Sequence, residues 1–288
     1  MSATVYRQES KEFQMKVVWP PAGQTADLKP GVTDKQIFQH VTNTISAVVR
    51  QLAGAKKTEL VFNNNLWRRE GIRYDTAGGD LKRNNLTLAI EATDEKTKLK
   101  CKQHQFIPEL LFDTPKNSPC LPDEQAASHY QHHATKFKLE EDLHFSNIKY
   151  CASGSLFVKG RATKVSTLDD FNKYFPSLAT LLAPTIPLKP LSHWDEAVFD
   201  DMLTDWGKGA FSTWMLVNRW DWGTNTLLES ELSFKVEKAM ADDWDYHQLR
   251  QAATLYLELQ RSGIFRAAPP IFFYDNPVSS TDIIVAGK

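Results

Sequence analysis

Several segments of this chain carry charge at every second position. Lys98, Lys100 and Lys102 alternate with Leu99 and Cys101, and Glu12, Gln14 and Lys16 alternate with Phe13, Met15 and Val17. Lys159 and Arg161 flank Gly160, while Glu229 and Glu231 are followed at the same spacing by Ser233, Lys235 and Glu237. A period of two is that of an extended strand, whose successive side chains leave opposite faces. Each segment therefore has one polar face and one face that must be covered, but periodicity alone does not say where the polar face points. In one reading the charged faces meet solvent, as on any antiparallel sheet packed on one side. In the other the sheet curls into a barrel with a charged interior and helices on its apolar exterior. Lysines and arginines would then line a pocket for a polyanion, and the Glu-x-Glu pair would hold a hard divalent cation through carboxylate oxygens.

Composition narrows the class. The chain has 288 residues, of which 42% are hydrophobic and 24% charged, which excludes a disordered or collagen-like polymer. With 34 basic and 35 acidic residues the net charge is -1, so no global attraction to nucleic acid or to an anionic membrane is expected. No apolar run approaches the roughly 20 residues of a spanning helix, and the N-terminus lacks the apolar stretch of a secretion signal. A cytoplasmic location follows as an expectation. The three cysteines, Cys101, Cys120 and Cys151, match neither a disulfide framework nor a zinc knuckle. Cys101 is expected in the core and Cys120, between Pro119 and Pro122, on an exposed loop. The histidines at 129, 132 and 133 lack the acidic or thiol neighbours of a metal site.

Along the chain, a strand over 12–19 is followed by a helix with a capping box, Thr33 with Gln36, and an apolar stripe of Ile37, Val41, Ile45, Val48 and Leu52. Strands are expected at 72–75, at 86–91 and at 97–102, the last two joined by a turn at 94–96. Residues 107–145 read as an aperiodic excursion. A strand over 155–165, a helix over 168–182, an ambiguous segment at 194–206, a hairpin over 213–237 and a helix over 243–262 complete the order. An extended piece at 271–274 lies in a C-terminal tail that begins near 266. No linker divides the chain, so one α+β domain over 1–288 is expected.

The order of these motifs resembles the CYTH family of triphosphate tunnel proteins, which includes adenylate cyclases of one class and thiamine and inorganic triphosphatases. Glu12-Phe-Gln-Met-Lys16 is similar to the family's opening E-x-E-x-K strand, Arg73-Tyr74-Asp75-Thr76 to its Y-x-D-T element, and Lys98-Leu99-Lys100 to the strand that follows. Lys159-Gly-Arg161 occupies the place of a middle basic strand, and Glu229-Ser-Glu231 that of the late E-x-E strand before a helix. The resemblance implies an antiparallel, tunnel-like β-barrel with helices outside. It also implies hydrolysis of a nucleoside, thiamine or inorganic triphosphate with Mg²⁺ or Mn²⁺. Glu12, Lys16, Glu229 and Glu231 would be catalytic, with the cation on Glu12, Glu229 and Glu231. Lys16, Lys98, Lys100, Lys159 and Arg161 would bind phosphate, and the partner would be a small phosphorylated ligand or polyphosphate.

Two departures open other readings. Gln14 stands where the family has a second glutamate, and Ala89 and Glu91 stand where it has arginines. Glu91 in a lumen would repel a phosphate, and in a closed barrel it is expected to pair with Lys98, Lys100 or Lys102. A tunnel that binds a phosphorylated ligand without cleaving it is one alternative. An interaction protein with solvated strand faces is another.

Overall fold

The computed structural model describes residues 10–17, 32–53, 60–105, 118–123, 136–143, 148–161, 165–202, 214–237 and 246–266. The strands are β1 (Ser10–Val17), β2 (Leu66–Asp75), β3 (Leu86–Ala92), β4 (Lys96–Gln105), β5 (Lys136–Leu143), β6 (Ile148–Lys159), β7 (Lys189–Phe199), β8 (Trp214–Asp221), β9 (Leu227–Glu237) and β10 (Phe265–Arg266). The helices are α1 (Asp34–Ala53), α2 (Asp80–Arg83), α3 (Asp169–Asn172) and α4 (Tyr246–Arg261).

The sheet runs β10-β1-β5-β6-β4-β3-β2-β7-β8-β9, and β1 also pairs along its length with β9. That pairing joins the first and last of nine strands and closes the barrel. All neighbours in the ring are antiparallel except β1 and β5, which run parallel from Lys11↔Glu141 to Phe13↔Leu143. Closure decides between the two readings of the charged faces: the apolar faces turn outward under the helices, and the charged faces turn into the lumen.

Two apolar cores cover the outside. The first lies between the outer faces of β1, β8 and β9 and the helices α1 and α4. Helix α1 begins where the sequence indicates, with Thr33 N–H donating to Gln36 Oε1 at 2.8 Å and Gln36 N–H to Thr33 Oγ1 at 3.3 Å. Its Ile37, Val41 and Ile45 are fully buried, each contributing about 1.5–3 kcal/mol by the usual transfer scale. Leu52, expected on the same stripe, is exposed at the helix end. Asp34 anchors the helix over the barrel by accepting from Asn218 Nδ2 at 3.0 Å, from Trp220 Nε1 at 2.8 Å and from Arg68. From α4, Ala252, Leu255, Tyr256 and Leu259 face the same core, and Gly263 past the end has φ +79°.

The second core covers β2, β3, β4 and β6 and receives Leu168, Phe171, Phe175 and Leu178. The Tyr74-Asp75-Thr76 element belongs here. Tyr74 packs edge-on against Phe171, and the Asp75 carboxylate clasps the backbone of α2, accepting from Thr76, Leu81 and Lys82 N–H at 2.7, 2.8 and 3.2 Å.

Several expectations are corrected. The helix over 168–182 is instead the single turn α3 and a 3₁₀ turn at Pro176–Thr180, because Pro176 has no N–H to continue α3. The ambiguous residues at 194–206 begin inside the 11-residue strand β7. The excursion over 107–145 ends in β5, where Phe137 and Leu139 alternate with Lys136 and Lys138. Cys120 is not on an exposed loop: it is fully buried, its Sγ 3.0 Å from that of Cys101, and its carbonyl approaches β6 so closely that a Cβ on Gly154 would lie 1.7 Å away. Histidines 129, 132 and 133 and the extended piece at 271–274 lie outside the described residues. Among the described residues, no helix is long and apolar enough to cross a membrane.

Candidate functional site

The lumen carries a belt of alternating charge that passes through seven strands. Lys16 on β1 donates to Glu229 and Glu231 on β9. Arg219 on β8 meets Glu229 at 2.9 Å and Glu196 on β7 at 2.8 Å. Glu196 also pairs with Arg69 on β2, which reaches Glu91 on β3 at 2.7 Å. Glu91 then accepts from Lys100 on β4 at 2.5 Å. Period two puts these residues on one face of each strand, and register sets neighbours opposite one another: Glu229↔Arg219, Arg219↔Glu196 and Glu196↔Arg69.

Burial makes the pairing obligatory, since a desolvated charge without a partner costs several kcal/mol. Glu196 is 1% exposed and Glu229 6%. Burial works to raise the Glu91 carboxyl, but Arg69, Lys100 and Lys98 overcome it and hold the group below the usual carboxylate range. Burial likewise opposes the charge on Arg69, and Glu91 with Glu196 more than restores it.

Beyond the belt, β4 and β5 form a lysine wall. Lys98, Lys100 and Lys102 share one face of β4, opposite Phe157, Ser155 and Ser153 of β6, and Lys138 of β5 lies opposite Ser153. Burial depresses Lys100 to about 7; Glu91 resists that fall, while Lys98, Lys102 and Arg69 deepen it. Burial also lowers Lys98, with Arg69, Lys102 and Lys138 among the charges that add to it. Arg73, on the same face of β2 as Arg69, is lowered to about 10 by burial and by Arg219.

The residues singled out in the sequence divide into three groups. Lys16, Glu229 and Glu231 come together in the belt, and Lys98 and Lys100 stand on the wall. Glu12 lies apart: it pairs with Lys235 at 3.3 Å, beyond the Gln14↔Ser233 layer that separates it from Lys16 and Glu231. Lys159 is exposed at the end of β6. Arg161 lies past that end and pairs with Glu70, which alternates with the lumen residue Arg69, and with Asp94 at 3.5 Å. Arg161 therefore braces the outer wall and does not face the lumen. The expected partner of Glu91 is Lys100, with Arg69 as a second partner that the motifs did not indicate.

Arg69, Arg73, Glu196 and Arg219 were missed. Their one signal was parity, Trp194-x-Glu196-x-Val198 on β7 and Arg69-x-Gly71-x-Arg73 on β2.

Glu229 Oε1 and Glu231 Oε2 do converge, but the ammonium of Lys16 sits at the point of convergence, and Glu229 Oε2 is engaged by Arg219. Glu12 does not join them. No group of three His, Cys, Asp or Glu side chains able to hold a metal exists among the described residues. As arranged, the pair is an ammonium site, and the three glutamates do not fit a resident Mg²⁺ or Mn²⁺.

No family model matches the chain, and no curated protein matches it. Among solved structures, it is similar to HpAC1 of Hippeastrum, proposed as an adenylyl cyclase and described as having a dominant triphosphatase activity. The TM-score is 0.45 at 10% identity, covering 92% of this chain and 93% of that one. It is also similar to a proposed adenylate cyclase of Bacillus halodurans, with TM-score 0.38, 11% identity and coverage of 94% and 96%. The PH1819 protein of Pyrococcus horikoshii OT3 gives 0.32, 12%, and 88% and 93%.

Proposed function

We propose that this barrel is a binding tunnel for a small phosphate-rich anion, a triphosphate-bearing molecule, held along the lysine wall. The observation that carries the reading is the grouping of Lys98, Lys100, Lys102 and Lys138 on one face of neighbouring strands inside a closed barrel, where burial first and then the neighbouring cations lower Lys98 and Lys100. Like charges gathered at a partly desolvated wall favour a multivalent anion that relieves them. Hydroxyl donors from Ser153 and Ser155 stand opposite three of these lysines, Lys100, Lys102 and Lys138. In this reading the Glu229–Glu231 pair serves the scaffold, with Lys16 as its counter-ion.

Isothermal titration with inorganic tripolyphosphate tests the proposal: saturable binding is expected, weakening as salt rises and unchanged by a chelator. Absence of binding at low salt would overturn it. Hydrolysis dependent on Mg²⁺ or Mn²⁺ is the competing reading, favoured by the convergence of Glu229 and Glu231. It requires Lys16 to leave that point. Phosphate release by the wild type above a Glu229→Gln, Glu231→Gln control would establish it in place of simple binding. The Lys16→Ala variant sharpens the choice. It is expected to gain thermal stabilisation by millimolar Mg²⁺ or Mn²⁺ that the wild type lacks, because only then are the two carboxylates open to a cation.

A further inference from the structure

The buried indole of Trp194 is not explained by the belt. Trp194 is 1% exposed, yet its Nε1–H has no hydrogen-bond partner. Buried donors nearly always have an acceptor, so an orphan deep inside a fold points to a partner that is not part of the chain. Its position is built with care. Trp194 lies opposite Gly71 in the β2–β7 register, on the face that carries Glu196 and Arg69. A Cβ on Gly71 would stand 2.2 Å from the indole Cε2 and 2.6 Å from Nε1, so only glycine lets the ring lie against β2 there.

The next residue on that face is Arg73, whose guanidinium carbon is 5.1 Å from the centre of the Trp194 ring. Across the sheet Arg73 is opposite Ala89, and Ala89 is opposite Lys100. Only a methyl group therefore separates a guanidinium on β2 from an ammonium on β4, strands about 10 Å apart by ordinary sheet spacing. A guanidinium presents a planar fork that matches phosphate oxygens, and an indole N–H can only donate. Such a pair suits an anion and excludes a cation.

We propose that Arg73 and Trp194 form an inner ledge that takes the terminal phosphate of a ligand lying along the lysine wall, the guanidinium and the indole N–H each donating to its oxygens. The ledge rests on the anion-binding reading above and adds to it where the ligand ends and which groups hold that end. Arg73 supplies charge from β2 at the level where β3 offers only Ala89.

The test uses the full chain with its tryptophans ¹⁵N-labelled, which gives one indole resonance for each of eight residues. Trp194→Phe identifies the Trp194 signal by its loss. On titration with inorganic tripolyphosphate, that indole proton is expected to move downfield as it gains an acceptor. Trp194→Phe is expected to weaken tripolyphosphate binding about tenfold, the scale of one hydrogen bond to a charged group, without altering its salt dependence. Arg73→Gln is expected to weaken it further and to flatten the salt dependence. Arg73→Lys, which keeps the charge but gives up the fork, should recover the salt dependence and not the affinity. Should Trp194→Phe fail to fold, the wild-type indole shift and the arginine variants still decide. A static Trp194 resonance with wild-type affinity in the variants overturns the ledge alone, whereas a wild type that binds no tripolyphosphate overturns the lumen reading with it.

Discussion

From β9 through β8 and β7 to β2, carboxylates stand between cations: Glu229 between Lys16 and Arg219, Glu196 between Arg219 and Arg69. On β4 and β5, lysine stands beside lysine, and Glu91 at the border is the acid that reaches Lys100. The same barrel thus holds one wall on which opposite charges alternate and one on which like charges adjoin. The difference separates two uses of buried charge. Alternating charges offset their desolvation internally and fix how strands register; adjoining like charges leave the fold less favourable than it could be.

The sharpest way to break this comparison is to remove one member from each wall. Glu196→Ala would remove the carboxylate between Arg69 and Arg219, leaving Arg69 with Glu91 and Arg219 with Glu229, and a loss of about 3–5 kcal/mol in urea-denaturation stability is expected. Lys98→Met removes a cation from among its like and is expected to change stability by less than about 1 kcal/mol, in either direction. Equal losses in the two variants would show that the walls are not different in kind.

Glu91 stands at the boundary and sharpens the comparison in the other direction. Its carboxylate holds Arg69 and Lys100 at once, so Glu91→Gln should cost stability as a belt substitution does. It should also remove a negative charge from the edge of the wall and tighten tripolyphosphate binding about tenfold at low salt, equivalent to about 1.4 kcal/mol, while Lys100, no longer held up by Glu91, gives up its proton at lower pH. Titration at two salt concentrations beside a denaturation curve reads both effects. Weaker binding in this variant would mean that Glu91 orders the wall more than it competes with the ligand.

How far these walls could be seen in the sequence follows from how cleanly each strand alternates. Within β4 and β9, over 98–102 and 232–236, charged or polar residues alternate with apolar ones, which makes Lys98 and Lys100 legible directly and Glu229 and Glu231 legible by their parity with Ser233 and Lys235. On β7, Trp194 and Val198 share the lumen face with Glu196 while Ala197 and Phe199 cover the outside, and the mixed pattern fits helical spacing as well. On β2 both faces are polar, Arg69 and Arg73 inside and Arg68 and Glu70 outside, so no alternation marks it. Arg219 follows Val217 on its face and is masked in the same way. The parallel pairing of β1 with β5 joins residues far apart in the chain and leaves no local trace. Arg161 misled for a related reason: Gly160, at φ +79°, breaks the strand geometry, so parity with Lys159 no longer predicts its face.

The smallest predicted effect concerns pH. Lys100 is depressed to about 7 in the fold, by burial first and then by Lys98, Lys102 and Arg69, against the higher value of an ordinary lysine. A lowered lysine binds its proton less well folded than unfolded. Below about 7 the folded wall therefore carries a destabilising charge, and that cost is relieved as pH rises from about 7 toward the unfolded value. Anion binding has the opposite sign, because it needs the proton that folding disfavours. Tripolyphosphate affinity should thus fall several-fold between about pH 6 and about pH 8, while the free protein becomes slightly more stable over the same interval. Above about pH 7, binding should draw a proton onto Lys100, and the calorimetric heat should vary with the ionisation enthalpy of the buffer. Lys100→Met should remove both the proton uptake and the slope. A slope that persisted in Lys100→Met would have to come from a group other than Lys100 and would move the centre of the site away from it.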